Sequence, residues 1–345
     1  MKKVLLTLFI LISVTLSYPD EPGWEKVLDN TRVECIAADP SSSAIFIGTV
    51  NKGLYKSLDR GERWRRIDRG IHPMAWIYSI AVNPHDPRVI YTATEGGVYR
   101  SEDGGKSWVK TGMNTTAFTV VINPENPNII YAGHCKSENG GKRWGAMKSL
   151  VEMGEYPYRM VIDPKHPELL YAVMISGRGF KSTDSGESWR RIVRDKVWYV
   201  TINPVHTSTL YLCGEKKVYK SEEMGERWEL KNEGLPDGSV DYLLVDPIDP
   251  HVLYVGLRKI GIFQSKDEGG SWHPLGRGFS DESLISGLTI NPSDPNHLYV
   301  STHGGVWRLK LSPRKPFRSL SPLGKLFGIW GGIKMDKGLN PLKRG

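Results

Sequence analysis

The chain has 345 residues, with 39% hydrophobic and 24% charged residues, the balance of an ordinary soluble globular protein. Its formal charge of +8 is not spread evenly: residues 312–345 carry +7 and residues 18–311 sum to −1. A body so close to neutral gives no ground for nucleic-acid binding, and the three cysteines, Cys35, Cys135 and Cys213, lack metal-ligand spacing.

In chain order, Lys2 and Lys3 precede a thirteen-residue apolar run, Val4 to Leu16, and Thr15-Leu16-Ser17 offers small residues for cleavage. The run is short of the roughly 20 residues that span a membrane. Residues 1–17 therefore read as an export signal, and the mature chain is expected to be secreted or periplasmic. No cysteine follows closely enough to carry a lipid anchor. An odd cysteine count leaves at least one thiol unpaired, and all three read as buried small apolar residues.

Residues 18–311 repeat. Seven short apolar runs end in Asn-Pro or Asp-Pro, at Asp39, Asn83, Asn123, Asp163, Asn203, Asp246 and Asn291, with a mean period of 42 residues. Proline has no N–H for a sheet ladder, so each run is a strand that stops there and turns. A second run follows, such as Ile129-Ile130-Tyr131-Ala132, and then a third, such as Gly97-Val98-Tyr99-Arg100-Ser101. All are short, rich in Val, Ile and Tyr and bounded by turn residues: they read as strands. The third strand leads into Ser-x-Asp-x-Gly-x-x-Trp, complete around Asp59, Asp103, Asp184 and Asp267 and altered at Asn139 and Glu223. Its carboxylate can accept backbone N–H bonds within the turn, and its glycine can take a positive φ. The tryptophan then starts a fourth strand and buries a large area between sheets. These acidic positions are scaffold by this reading.

The motif resembles the Asp-box, or neuraminidase (BNR), repeat of sialidases, family 74 xyloglucanases, sortilin-type receptors and photosystem II assembly propellers. The match covers about 290 of the 345 residues, and text such as Asn123-Pro-Glu-Asn-Pro-Asn-Ile-Ile-Tyr131 is nearest to one lobe of the family 74 enzymes. The resemblance implies an all-β fold, a β-propeller of four-stranded antiparallel blades. Seven Pro signals count seven blades, yet only six boxes lead to a fourth strand. The segment Gly23-Trp24-Glu25-Lys26-Val27 resembles Ser188-Trp189-Arg190-Arg191-Ile192, so the N-terminal strand is expected to complete blade seven and close the ring.

Function is then expected on the face built by the second-to-third and blade-to-blade loops, opposite the boxes. Basic and aromatic residues there, Lys52, Arg178, Lys216, Lys217, Arg258, Lys259, Trp76, Trp198 and Tyr158, suit an anionic or glycan ligand through ion pairing and stacking. Blade three is clipped near His134 and Cys135, which reads as a notch in the rim or as a plain deletion. A hydrolase would need two acidic groups in a cleft; Asp195, Asp241, Asp281 and Glu282 are the candidates, and no spacing singles out a pair. The early Phe/Tyr-Arg-Ile-Pro motif of sialidases is absent. No cofactor or metal is implied. Residues 312–345, with Leu326-Phe327-Gly328-Ile329-Trp330, read as a basic flexible tail that is either passive or touches an anionic membrane or cell-wall surface. The preferred reading is an exported, non-catalytic propeller that binds a polysaccharide, protein or anionic partner. The alternatives are a glycoside hydrolase and an assembly factor for a membrane complex.

Overall fold

The computed structural model describes residues 23–280 and 283–313; the expected export signal at 1–17, the tail from 314 onward, and Asp281 and Glu282 lie outside them. Twenty-eight strands form seven four-stranded antiparallel sheets, each pairing neighbours in order from the innermost strand outward. This is a seven-bladed β-propeller. Blade 2 is typical, with strands Ile77–Val82, Ile90–Thr94, Gly97–Ser101 and Val109–Lys110. The helix among the described residues, Lys148–Glu152, lies between blades 3 and 4 and buries Leu150.

The second strand of a blade is covered on both faces by its neighbours, so it is apolar without alternation, and Ile45–Thr49, Leu170–Met174 and Leu253–Leu257 are buried throughout. One repeat position in it holds Phe46, Tyr91, Tyr131, Tyr171, Tyr211, Tyr254 and Tyr299, all essentially inaccessible. Burial pushes the Tyr131 phenol up to about 12. Tyr91, Tyr131 and Tyr171 each donate their hydroxyl to a carbonyl in the turn of the following blade, at Gly140, Ser185 and Met224.

Each inner strand ends at its Asn/Asp-Pro pair, but proline is only half of the signal. In all seven copies the Asn or Asp Oδ1 accepts the N–H two residues on, at 2.8–2.9 Å. The side chain thus closes the turn that proline opens. All seven are buried.

The Ser-x-Asp-x-Gly-x-x-Trp hairpins join the third and fourth strands. Ser57 Oγ accepts from the Gly61 N–H at 2.8 Å and donates to Asp59 Oδ1 at 2.9 Å, and Asp59 Oδ1 accepts from the Arg63 N–H at 3.0 Å. Asn139 makes the same contacts in blade 3. Glu223 is too long for them; in blade 5 the Ser221–Gly225 bond remains and Glu223 turns to Arg227. The six glycines have φ between +83° and +92°, which only glycine adopts freely. Five of the seven outer-strand tryptophans then donate Nε1–H to a carbonyl of the preceding blade: Trp24 to Leu275, Trp64 to Val27, Trp108 to Ile67, Trp228 to Ile192 and Trp272 to Lys231.

Blade 7 comprises Ile285–Asn291, Asp294–Thr302 and Gly305–Lys310, and its outer strand is Trp24–Asp29 from the other end of the chain. Trp24 pairs with Leu309 and stacks edge-on against Phe279. The expected closure is present. The cysteines are unpaired; Cys35 and Cys213 are buried and Cys135 is half-buried.

Replacing Trp24 by Ala removes a buried indole and the Leu275 hydrogen bond, and should cost roughly 3–5 kcal/mol in a denaturant titration; removal of residues 18–28 should cost more. Acid should loosen the hairpins. Hydrogen bonds from Ser107 hold the Asp103 carboxyl down at about 2, and those from Ser265 and Ser271 do the same for Asp267, against an ordinary 3.8. The folded values are depressed, so this stabilisation is complete above about pH 4 and disappears as pH falls through 2. In Asp103→Asn/Asp267→Asn the fall in Tm over that interval should be shallower than in the parent.

Candidate functional site: the channel mouth

Inner strands run from the face of the blade-to-blade loops to the face of the hairpins. Six of them slip register at the same place, between Val33 and Cys35, Ile77 and Ser79, Pro157 and Arg159, Val197 and Tyr199, Val240 and Tyr242, and Ile285 and Gly287. A bulge inserts an unpaired residue and bends the strand. Consecutive residues, rather than alternate ones, therefore reach the mouth of the central channel. Tyr158 with Arg159, Trp198 with Tyr199, and Asp241 with Tyr242 line one cavity of about 260 Å³ together with Glu34 and Arg258.

The walls are aromatic. Ring centroids step from Trp76 to Tyr78 at 6.1 Å, on to Phe118 at 4.8 Å and to Tyr158 at 6.0 Å, an arc across three blades. Tyr199 and Tyr242 stack at 3.9 Å, and the Tyr199 hydroxyl donates to Tyr242 at 2.7 Å. Burial pushes both phenols above the ordinary value, so both stay neutral. Cys35, held up at about 12 by burial, is a protonated thiol there and not a nucleophile.

Arg159 sits amid these rings. Its guanidinium carbon lies 4.4 Å from the Tyr158 ring centroid, and Nη1 donates to the Tyr158 carbonyl at 3.3 Å. It is half-buried and forms no ion pair among the described residues. Most other cations of this face are committed. Arg258 grips Asp241, with Nη2–Oδ1 at 2.8 Å and Nε within 3.1 Å of both oxygens. Arg178 pairs at 2.8 Å with Glu155, a buried carboxylate that also accepts from Ser176. Lys217 and Tyr219 both bond Asp195, and the Lys217 bond is the main cause of its depressed pKa.

The residues singled out from sequence thus divide. Trp76, Tyr158, Trp198 and Arg258 gather at the mouth, with Asp241. Lys52, bonded to the Asn30 carbonyl, Lys216, facing Asp237 at 3.8 Å, and Lys259, at φ +63°, stand on outer turns. Asp195 lies in its ion pair, and Asp281 and Glu282 fall outside the described residues. Glu34, Tyr78, Tyr199 and Tyr242 are not singled out by the sequence, because strict alternation points every second inner-strand residue away from the channel, and Phe118 lies in the loop ahead of the strand Val120–Ile122. Glu34 Oε2 lies 3.3 Å from His303 Nε2 and 3.8 Å from Arg32, without a hydrogen bond. In blade 3 the clipped turn at Gly133-His134 is real, and the Tyr156 ring stands edge-on to His134 at 5.0 Å.

No known family and no curated protein matches the chain. Solved structures do. A GH74 xyloglucanase from Xanthomonas campestris aligns over 86% of this chain and 55% of its own, at 17% identity and TM-score 0.69. A GH74 enzyme from Niastella koreensis gives 83%, 53%, 16% and 0.69. The chain spans about half the length of these enzymes. A structure of YCF48 bound to a D1 peptide aligns over 85% of this chain and 100% of its own, at 14% identity and TM-score 0.67. At such identities the likeness is one of fold.

The Asp241 side chain is 3% exposed, so Arg258→Ala should leave a buried carboxylate poorly matched and cost about 1–3 kcal/mol. Adding Asp241→Asn should recover part of that loss, read from urea midpoints of the two variants.

Proposed function

We propose that this chain is an exported, non-catalytic propeller of the Asp-box kind, whose channel mouth takes an acidic segment of a partner protein. The observation that carries this reading is Arg159: a half-buried guanidinium, walled by aromatic rings, that forms no ion pair among the described residues, while Asp241 in the same cavity is held by Arg258. A carboxylate brought by a ligand would complete that charge, and the rings would exclude water around the pair. Trp76, Trp198 and Tyr158 supply apolar contact, and the rim cations Lys52, Lys216 and Lys259 add longer-range attraction; Arg178, Lys217 and Arg258 act by holding Glu155, Asp195 and Asp241. A peptide is favoured over a polysaccharide because the full-length likeness is to a propeller solved with a peptide, while the xyloglucanases are matched over half their length. The basic start and apolar run of residues 1–17 support export.

One observation favours hydrolysis instead: Glu34 and Asp241 line the same cavity. Two carboxylates flanking a bond are what glycoside hydrolysis requires, although Asp241 is held by Arg258.

Titration of the full chain with short peptides rich in Asp and Glu should show binding that Arg159→Gln weakens at least tenfold without lowering Tm. Peptides with Lys in place of the acids should not bind. Equal affinity in Arg159→Gln, or no binding of acidic peptides at low salt, would sink the reading. Release of reducing ends from xyloglucan, abolished by Glu34→Gln, would replace it with hydrolysis.

A further inference from the structure

Away from the mouth, the outer rim follows a charge rule with one exception. Six blades place a cation at the same point of the third strand: Lys56, Arg100, Lys136, Lys181, Lys220 and Arg308. Five of them meet glutamates. Arg100 pairs with Glu102; Lys136 with Glu138 and Glu187; Lys181 with Glu226; Lys220 with Glu222 and Glu268; Arg308 with Glu25 and Glu62. These partners come mainly from two repeat positions. One is the second residue of the hairpin in the same blade (Glu102, Glu138, Glu222). The other follows the glycine of the next blade's hairpin (Glu62, Glu187, Glu226).

Blade 1 has lost both. The second residue of its hairpin is Leu58, 65% exposed, and the next blade offers Lys106 where blades 1, 4 and 5 carry Glu62, Glu187 and Glu226. Lys56 is left with the Gly104 carbonyl at 3.4 Å and the face of Phe46. Burial lowers its pKa, Asp39 opposes that, and Lys106 lowers it further. Around it lies a groove of about 750 Å³ between blades 1 and 2, lined also by Arg63, Arg65, Arg66 and Arg69. Its two carboxylates are engaged: Asp59 in its own turn, Asp68 on Arg66. Six cations therefore face two committed anions, beside the half-buried indole of Trp64.

We propose that this groove is an anion site that takes the clustered carboxylate or sulfate oxygens of an acidic polysaccharide. Lys and Arg spaced along an open groove suit charges repeated along a polymer. Trp64 stands alone among the lining residues, so there is no second ring to clamp a base. The site lies on the outer rim and does not depend on the reading of the channel mouth.

The test uses the full chain and two probes, a polygalacturonate oligomer for carboxylate and a heparin-derived hexasaccharide for sulfate, measured calorimetrically at low salt. Leu58→Glu/Lys106→Glu restores the glutamates that other blades carry, so it should fold with unchanged or higher Tm. It should bind the preferred probe at least tenfold more weakly than the parent, and Lys56→Gln should give an intermediate loss. Arg159→Gln should keep full affinity, which separates this site from the channel mouth. The basic tail is common to all variants, so the differences report the groove. Equal binding by the double variant, no binding of either probe, or tighter binding of single-stranded DNA of equal charge would overturn the assignment.

Discussion

An aromatic ring between two sheets is favourable to bury, but its polar atom must find a partner there or the gain is lost. In this propeller the partner is mostly in the neighbouring blade. Tryptophan N–H groups reach back to the preceding blade, and tyrosine hydroxyls reach forward to a carbonyl in the following hairpin. Each blade thus has at least one ring that is matched only when a neighbour is in place. A linear stack would leave unmatched rings at its ends; a closed ring leaves none. The borrowing of Trp24–Asp29 by blade 7 follows from this requirement.

The same interlock accounts for where variation is tolerated. Hairpins, Asx turns and second strands are all committed to packing. The first residues of the inner strands are not, and the bulges there deliver side chains in consecutive pairs to the channel mouth. On both faces most charges are settled locally, by a carboxylate within a few residues or one blade away. Arg159 at the mouth and Lys56 on the rim differ because the partner that their setting calls for is missing. A repeat protein displays its special sites as departures from its own rule.

Much of the fold was legible in sequence because the repeat samples the same physics seven times. The Asn/Asp-Pro pairs, the hairpin motif and the stray outer strand at Trp24 led to seven closed blades. The role of the Asn and Asp side chains was less visible: proline alone explains a stop, whereas the Asx bond shows only in three dimensions. The site was partly legible. Trp76, Tyr158, Trp198, Asp241 and Arg258 do meet, but Glu34, Tyr199 and Tyr242 join them through bulges that periodicity alone does not announce. Asp195 and Lys217 stood out separately as acid and cation; in space they neutralise one another. Leu58, at the repeat position where Glu102, Glu138 and Glu222 stand, gains meaning only in three dimensions, with Lys106 across the same groove.

The pairing of Trp24 with Leu309 also dictates an order of events. Strands within blades 1 to 6 join neighbours a few residues away, and hairpins of that kind close quickly. The strand Trp24–Asp29 has no partner until Gly305–Lys310 has been made, with Leu309 lying 285 residues after Trp24. Folding of the ring is therefore completed by its two ends, and nascent chains lacking residues 305–310 carry an open sheet edge at the start and an incomplete seventh blade at the finish. Such non-local pairing is slow and leaves sticky edges meanwhile. This propeller is a structure that can be assembled in part during synthesis but locked only afterwards.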